Sequence, residues 1–254
     1  MIKPTIFIGI DQTGATDKNG NPKPLDVCLI DNRKALRIIP NLKIKSLQKN
    51  DINKLISENL SSFKNEKVFI CVDSAIGLPQ STQINYKKIF KLAKKFSHEN
   101  KKYGALVAYY FFQSFINNSS IAVNPRRTVD VLVNANSVFN LMPFQKNIGC
   151  GTYRIIKDLS EDKKWFDLWP FEKCENQFII AEGYPSYFWK NILNLNKRNL
   201  IDLKNIFSDL EFKNMNQADS FVLAYGSIKS IDQILLNPPK IAGDEGWIFG
   251  VPYE

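Results

Sequence analysis

Three short apolar runs in the chain each stop on an acid: TIFIGID at Asp11, KVFICVD at Asp73 and QFIIAE at Glu182. A fourth acid, Asp219, stands in the expected first turn of the late apolar stretch NQADSFVLAYG. The runs are β-branched and aromatic without polar alternation, the pattern of strands buried on both faces. An ionised carboxyl is costly to bury unpaired, so its recurrence at strand exits needs a cause. If those ends lie side by side, their charges repel and a hard cation is the obvious remedy. Two Mg²⁺ (or Mn²⁺) ions roughly 4 Å apart, held by carboxylates, activate a water for in-line attack on a phosphodiester. In this reading Asp11, on the central strand, bridges the ions and Asp73 binds one of them. Glu182 and Asp219 complete the set directly or through water.

Each acid also has a plainer use. Asp73 could cap a following helix, Asp11 could shape its Thr-Gly turn, Glu182 could pair with a lysine or arginine, and Asp219 could favour a helix dipole. One shared cause accounts for all four better than four separate ones. Arg126 and Arg127, in NPRRTVD, are candidate phosphate contacts because the guanidinium fork binds phosphate bidentately. A surface salt bridge with Asp130 is the alternative. Lys87, Lys91 and Lys94 could line a nucleic-acid track, and Tyr184 or Trp189 could stack on a base. A lysine run also suits a solvated face, and an aromatic beside an apolar strand also suits a core. Ser74 and Thr13 sit beside the acids, placed to orient them. Asp244 and Glu245, in GDEG, could extend the site, although a solvated turn is the plainer reading.

The 254 residues are 44% apolar and 23% charged, which is the balance of a soluble globular chain with a substantial core. No apolar run reaches the roughly 20 residues of a membrane helix. Asp11 interrupts the apolar start and no small-residue cleavage site follows, so a cytoplasmic location is expected. One histidine, His98, and four scattered cysteines without a C-x-x-C pair offer little to zinc, non-haem iron or a Ser-His-Asp triad. Oxygen-ligand chemistry stays open. The formal charge of +9 favours polyanions as partners, although lysine also accumulates on surfaces in a chain this rich in Lys, Asn and Ile.

The acids need elements to hold them. After the first strand, 5–11, the turn-rich TGATDKNGNPKP leads into LDVCLID and ALRIIP, a hairpin joined at DNRK. A helix over roughly 51–63 is expected, with Asp51 as N-cap, followed by the strand ending at Asp73. Amphipathic periodicity marks a helix from Tyr86 to Phe96, and an apolar helix near 104–116 follows. The stretch from Asn124 to Gln145 reads as partly helical, bounded by Pro125 and Pro143. GTYRIIKDLSEDKKWFDL reads as helical at both ends, and QFIIAE as another strand. A helix from Ser186, a polar one over 199–213 and the Asp219 helix to about 235 complete the order, with a possible short strand at WIFGV. This is mixed α/β around one sheet, with the first and fourth strands as parallel neighbours and sites at the strands' carboxyl ends.

The segments IFIGIDQTG, FICVDSAIGLP, AEGYPSYFW, NQADSFVLAYG and EGWIFG, in this order and across almost the whole chain, resemble the ribonuclease H-like superfamily. More narrowly, they resemble the domain-of-unknown-function family of predicted RNase H-like nucleases. The resemblance implies one RNase H-like domain over 1–254, with a helical insertion around 104–176. The sheet would open with three antiparallel strands and continue with parallel ones. It also puts Asp11, Asp73, Glu182 and Asp219 on the metal-carrying positions of a nuclease acting on RNA or DNA. It leaves open which nucleic acid is cut, and the oligomeric state. Two other classes stay in view. One is an inactive RNase H-like module that binds nucleic acid or protein. The other is a sugar-kinase or actin-like phosphotransferase, although the chain shows neither that group's duplicated fold nor its glycine-rich loop.

Overall fold

The computed structural model describes residues 2–12, 14–116, 125–140 and 148–253, so Thr13 and Pro143 lie outside the described residues. Strands β1 (Ile6–Asp11), β2 (Leu25–Asp31) and β3 (Arg37–Ile44) come first, then helix α1 (Lys49–Asn59) and strand β4 (Val68–Asp73). Helices α2 (Tyr86–Lys95), α3 (Ala105–Ile116), α4 (Thr128–Leu132) and α5 (Ile148–Glu161) follow. Strands β5 (Phe166–Trp169) and β6 (Phe178–Gly183) lead to α6 (Pro185–Asn191), α7 (Leu200–Ile206), α8 (Met215–Ser230) and α9 (Lys240–Glu245). The six strands form one sheet in the order β3-β2-β1-β4-β6-β5. The three strands at the β3 side pair antiparallel, and β1, β4, β6 and β5 run parallel. The fold is therefore α/β on a mixed sheet, with β1 and β4 adjacent.

Strand alternation divides the core in two. Ile6, Ile8 and Ile10 of β1, with Val68, Ile70 and Val72 of β4, pack with α1, α2, α3 and α5 on one face. Phe7, Cys28, Phe69, Cys71, Ile179 and Ala181 pack with α6, α8 and the tail on the other. Helix α5 is buried along almost its whole length, and two of its charged side chains are hydrogen-bonded to neighbouring elements. Asp158 accepts from the Leu47 amide at 3.1 Å and the Tyr103 hydroxyl at 2.9 Å. Lys157 Nζ donates to the carbonyls of Ala93, Lys94 and Phe96, closing the C-terminus of α2.

Helix α8 lies on β1 at Gly9, two residues before Asp11. A Cβ added at Gly9 would stand 1.9 Å from the Ser220 carbonyl oxygen and 2.5 Å from the Ala224 nitrogen. The missing side chain lets helix backbone touch strand backbone, which brings Asp219 over the strand exits. Gly9→Ala is expected to lower stability by about 3 kcal/mol and the melting temperature by about 6–12 °C, read by circular dichroism.

Several elements differ from the sequence expectation. Phe166–Trp169 is the edge strand β5, preceded by a 3-10 turn at Lys163–Trp165, and not the end of a helix, so the 104–176 segment is not wholly helical. Gln48, not Asp51, is the N-cap of α1, and Asp51 accepts from Ser46 instead. The polar helix after Asn199 ends at Ile206. WIFGV contributes a single parallel bridge, Ile248 to Glu182. Among the described residues no helix is long and apolar enough to cross a membrane.

Candidate functional site

Asp11 and Asp73 end neighbouring parallel strands in register, since Ile10 pairs with Val72 immediately before them. Both have the parity of Gly9 and Cys71, so both face α8. Asp26 opens β2, which runs the other way, and pairs directly with Asp11 at the same end of the sheet. It too has α8-face parity, is buried, and accepts from Lys43 Nζ at 3.1 Å. Three aspartates on three adjacent strands thus form a row, and Asp219 of α8 lies over it. Asp219 sits in the second turn of its helix, which starts at Met215 behind the N-cap Asn214. The dipole explanation for an acid in the first turn therefore lapses. Asp219 is buried; its Oδ1 accepts from Trp189 Nε1 at 2.7 Å and its Oδ2 from Arg198 Nη1 at 2.8 Å.

The electrostatics follow from this crowding. Adjacent strands lie about 4.8 Å apart. Two full charges at that spacing repel by about 3 kcal/mol at an effective dielectric near 20, or roughly two pKa units. Burial first, then Asp73, Asp219 and Asp26, push the Asp11 carboxyl up, and Arg198 opposes them. Burial first, then Asp219 and, more weakly, Glu182 raise Asp73, while Arg198 and a hydrogen bond with Asp11 counter the shift. Asp11 and Asp73 therefore titrate as a pair. Asp219 is raised by burial against the pull of Arg198 and Trp189. Among the described residues, the side chain of Arg198, 46% exposed, is the one cation that acts on all three of these carboxyls.

Glu182 does not join the row. Its register partner is Val72, while Asp73 pairs with Gly183. It is Gly183 that faces α8: a Cβ there would stand 2.4 Å from Leu223 Cδ2 and 2.5 Å from Cys71 Sγ. Glu182 points the other way and receives a bidentate pair from Arg127, both bonds at 2.5 Å. Its Oε2 also accepts from the Ile76 amide at 3.1 Å. Arg127 is itself buried, with Nε and Nη2 on Asp130 at 3.0 and 2.7 Å. Burial alone would lower the guanidinium pKa, and Glu182 and Asp130 outweigh it. The expectation that Arg127 contacts phosphate is thus corrected: its fork is filled by two carboxylates, and its bridge to Asp130 is buried, not superficial. Arg126, beside it, is exposed.

The same locality holds a second correction. Glu245, expected in a solvated turn, is buried and accepts from the amides of Gln80 and Thr128, each at 2.7 Å. Together Glu182, Arg127, Asp130 and Glu245 staple the loop after Asp73 to α4 and α9. Trp189 is core and serves Asp219, whereas Tyr184 is half-buried at the N-cap of α6. Asp26 and Arg198 went unnoticed in the sequence. The alternation of LDVCLID contained the signal for Asp26, but Arg198 lies in a polar loop with no pattern.

The donor chemistry fits a hard divalent ion. Asp11, Asp73 and Asp219 offer only oxygen, on one face, with repulsion that a cation would relieve. Gln12 Oε1 and Ser74 Oγ, each next in sequence to one of these acids, are shielded from solvent without a hydrogen-bond partner, but their parity is opposite and Gln12 Oε1 lies against Gly151 of α5, so they do not add to this set. Among the described residues, no three of His, Cys, Asp and Glu are drawn together tightly enough to hold an ion as they stand. Comparison with family models, curated proteins and solved structures finds no match.

Proposed function

We propose that the chain is a divalent-metal-dependent nuclease of RNase H-like fold that hydrolyses phosphodiester bonds in RNA or DNA. The observation that carries this reading is the gathering of Asp11, Asp73 and Asp219 on one face, at the exits of the two central parallel strands. Three antiparallel strands followed by parallel ones, with the first and fourth adjacent, suit the resemblance. Asp11, Asp73 and Asp219 would hold Mg²⁺ or Mn²⁺, which supplies an activated water and stabilises the leaving oxygen. Trp189 and Arg198 orient Asp219, and the Arg127 cluster fixes the loop that follows Asp73. Glu182 is reassigned from ligand to partner of Arg127. A reducing, cytoplasmic setting accords with four buried cysteines, none in a disulfide.

Labelled single-stranded RNA, single-stranded DNA and branched duplexes test the reading. Cleavage of at least one is expected with Mg²⁺ or Mn²⁺, falling to background in chelator and in Asp11→Asn. A second reading, a binding module whose acids are structural, is favoured by the absence of a ready-made three-ligand cage among the described residues. Binding that persists in chelator, with no cleavage of any substrate, would select it.

A further inference from the structure

The net charge of the chain is concentrated in one place. Residues 86–102 carry seven lysines against one glutamate, so six of the nine net positive charges fall within 17 residues. Lysine drift from composition would spread along the chain; this does not. Lys87, Lys88, Lys91, Lys94 and Lys95 are all exposed on α2, and Lys101 and Lys102 are exposed in the turn beyond it. Among the described residues, the lysines in ion pairs are Lys3, Lys43, Lys54 and Lys163, none of them in this stretch. Lys94 donates to the backbone carbonyl of Glu161, not to its carboxylate.

Lys87, Lys91 and Lys95 follow one another at i,i+4, about 6 Å apart along the axis. Like charges at that spacing weaken a helix. The helix is kept by other means: Asn85 caps its start, accepting from the Lys88 amide at 3.0 Å, and buried Lys157 closes its end. A self-repelling ridge held rigid in this way suits an extended polyanion. Next to it, the His98 ring stacks on Tyr110 with centroids 4.0 Å apart, and Tyr110 is 44% exposed. Tyr109 meets Tyr110 edge-on at 5.4 Å.

We propose that α2, the turn after it and Tyr110 form a docking surface for single-stranded nucleic acid, with lysines on the phosphates and the Tyr110 ring against a base. An anionic membrane suits it less. Membrane-surface helices insert an apolar face, and that of α2 (Tyr86, Ile89, Phe90, Ala93) is buried in the core. The ridge belongs to the layer across the sheet from α8, so its test does not depend on the acids.

Fluorescence anisotropy of labelled single-stranded RNA and DNA, in chelator over a salt series, reads the surface directly. Combined Lys87→Gln, Lys91→Gln and Lys95→Gln is expected to weaken binding about ten-fold or more and to cut the log–log salt slope by about 2. The matching Lys→Arg triple keeps both. Tyr110→Ala is expected to lose about ten-fold while leaving the slope unchanged. A melting temperature in the glutamine triple no lower than the parent's shows that the fold is intact. A chain that binds through the ridge but cleaves no substrate with Mg²⁺ or Mn²⁺ sinks the nuclease reading and spares this one. The proposal is overturned if the glutamine triple binds oligonucleotides like the parent. Lysine-dependent binding to phosphatidylserine vesicles, with none to oligonucleotides, also overturns it.

Discussion

Replacing Arg127 with methionine is expected to lower stability by about 3–5 kcal/mol, because it strands Glu182 and Asp130 as buried charges without a partner. Against a typical margin of about 5–15 kcal/mol, that removes a large share of what holds the chain folded. The midpoint of urea denaturation measures it. Adding Glu182→Gln and Asp130→Asn to Arg127→Met is expected to recover most of the loss, since neutral amides cost far less to bury than carboxylates. The competing idea, a guanidinium reserved for phosphate, makes the opposite forecast. On that view, Arg127→Met would keep its midpoint and lose only oligonucleotide affinity.

Asp73→Asn is expected to abolish metal-dependent cleavage and at the same time to stabilise the metal-free fold by about 1–3 kcal/mol, by removing the repulsion with Asp11 and Asp219. The sign follows from the upward shifts. Unfolded, an aspartate titrates near 3.9; folded, burial and the neighbouring acids push Asp73 up to about 7 and Asp11 to about 9. The folded chain therefore binds more protons than the unfolded one across this window. Stability without metal is fully present below about pH 4 as far as these two groups are concerned, and is lost as pH rises through their folded values. Melting temperatures over a pH series in chelator should fall for the parent and fall less for Asp73→Asn. Added Mn²⁺ should raise the parent most at high pH and the variant little. A parent curve that is flat from acid to alkaline pH would contradict the shared-proton picture.

The strands were readable because the core has no choice about them. Continuous apolar runs such as IFIGI and VFICV suit only segments buried on both faces, and glycines and prolines mark their ends. Parity was the information left unused. Glu182 ends a strand as Asp11 and Asp73 do, yet it stands one residue out of step, and period-two geometry sends it to the other face. The same rule, applied to LDVCLID, would have found Asp26, which opens an antiparallel strand and so meets the exits of its neighbours. WFDL looked helical because Trp165 and Leu168 at i,i+3 also suit a helix; only the neighbouring β6 makes Phe166–Trp169 an edge strand. Arg198 and the buried carboxylate of Glu245 depend on contacts between segments far apart in sequence, which local pattern does not contain.

Cys28 and Cys71 lie in the sheet on the side that α8 covers, and burial drives both thiols up, Cys71 to about 12. Protonated and roofed by a helix, neither reacts with an alkylating reagent while the roof is in place. The molecule thus carries its own gauge of how often α8 lifts from the sheet, readable by mass spectrometry without any engineered label. Since Asp219 rides on that helix, the gauge also reports how firmly any ion ties the helix to the strand ends.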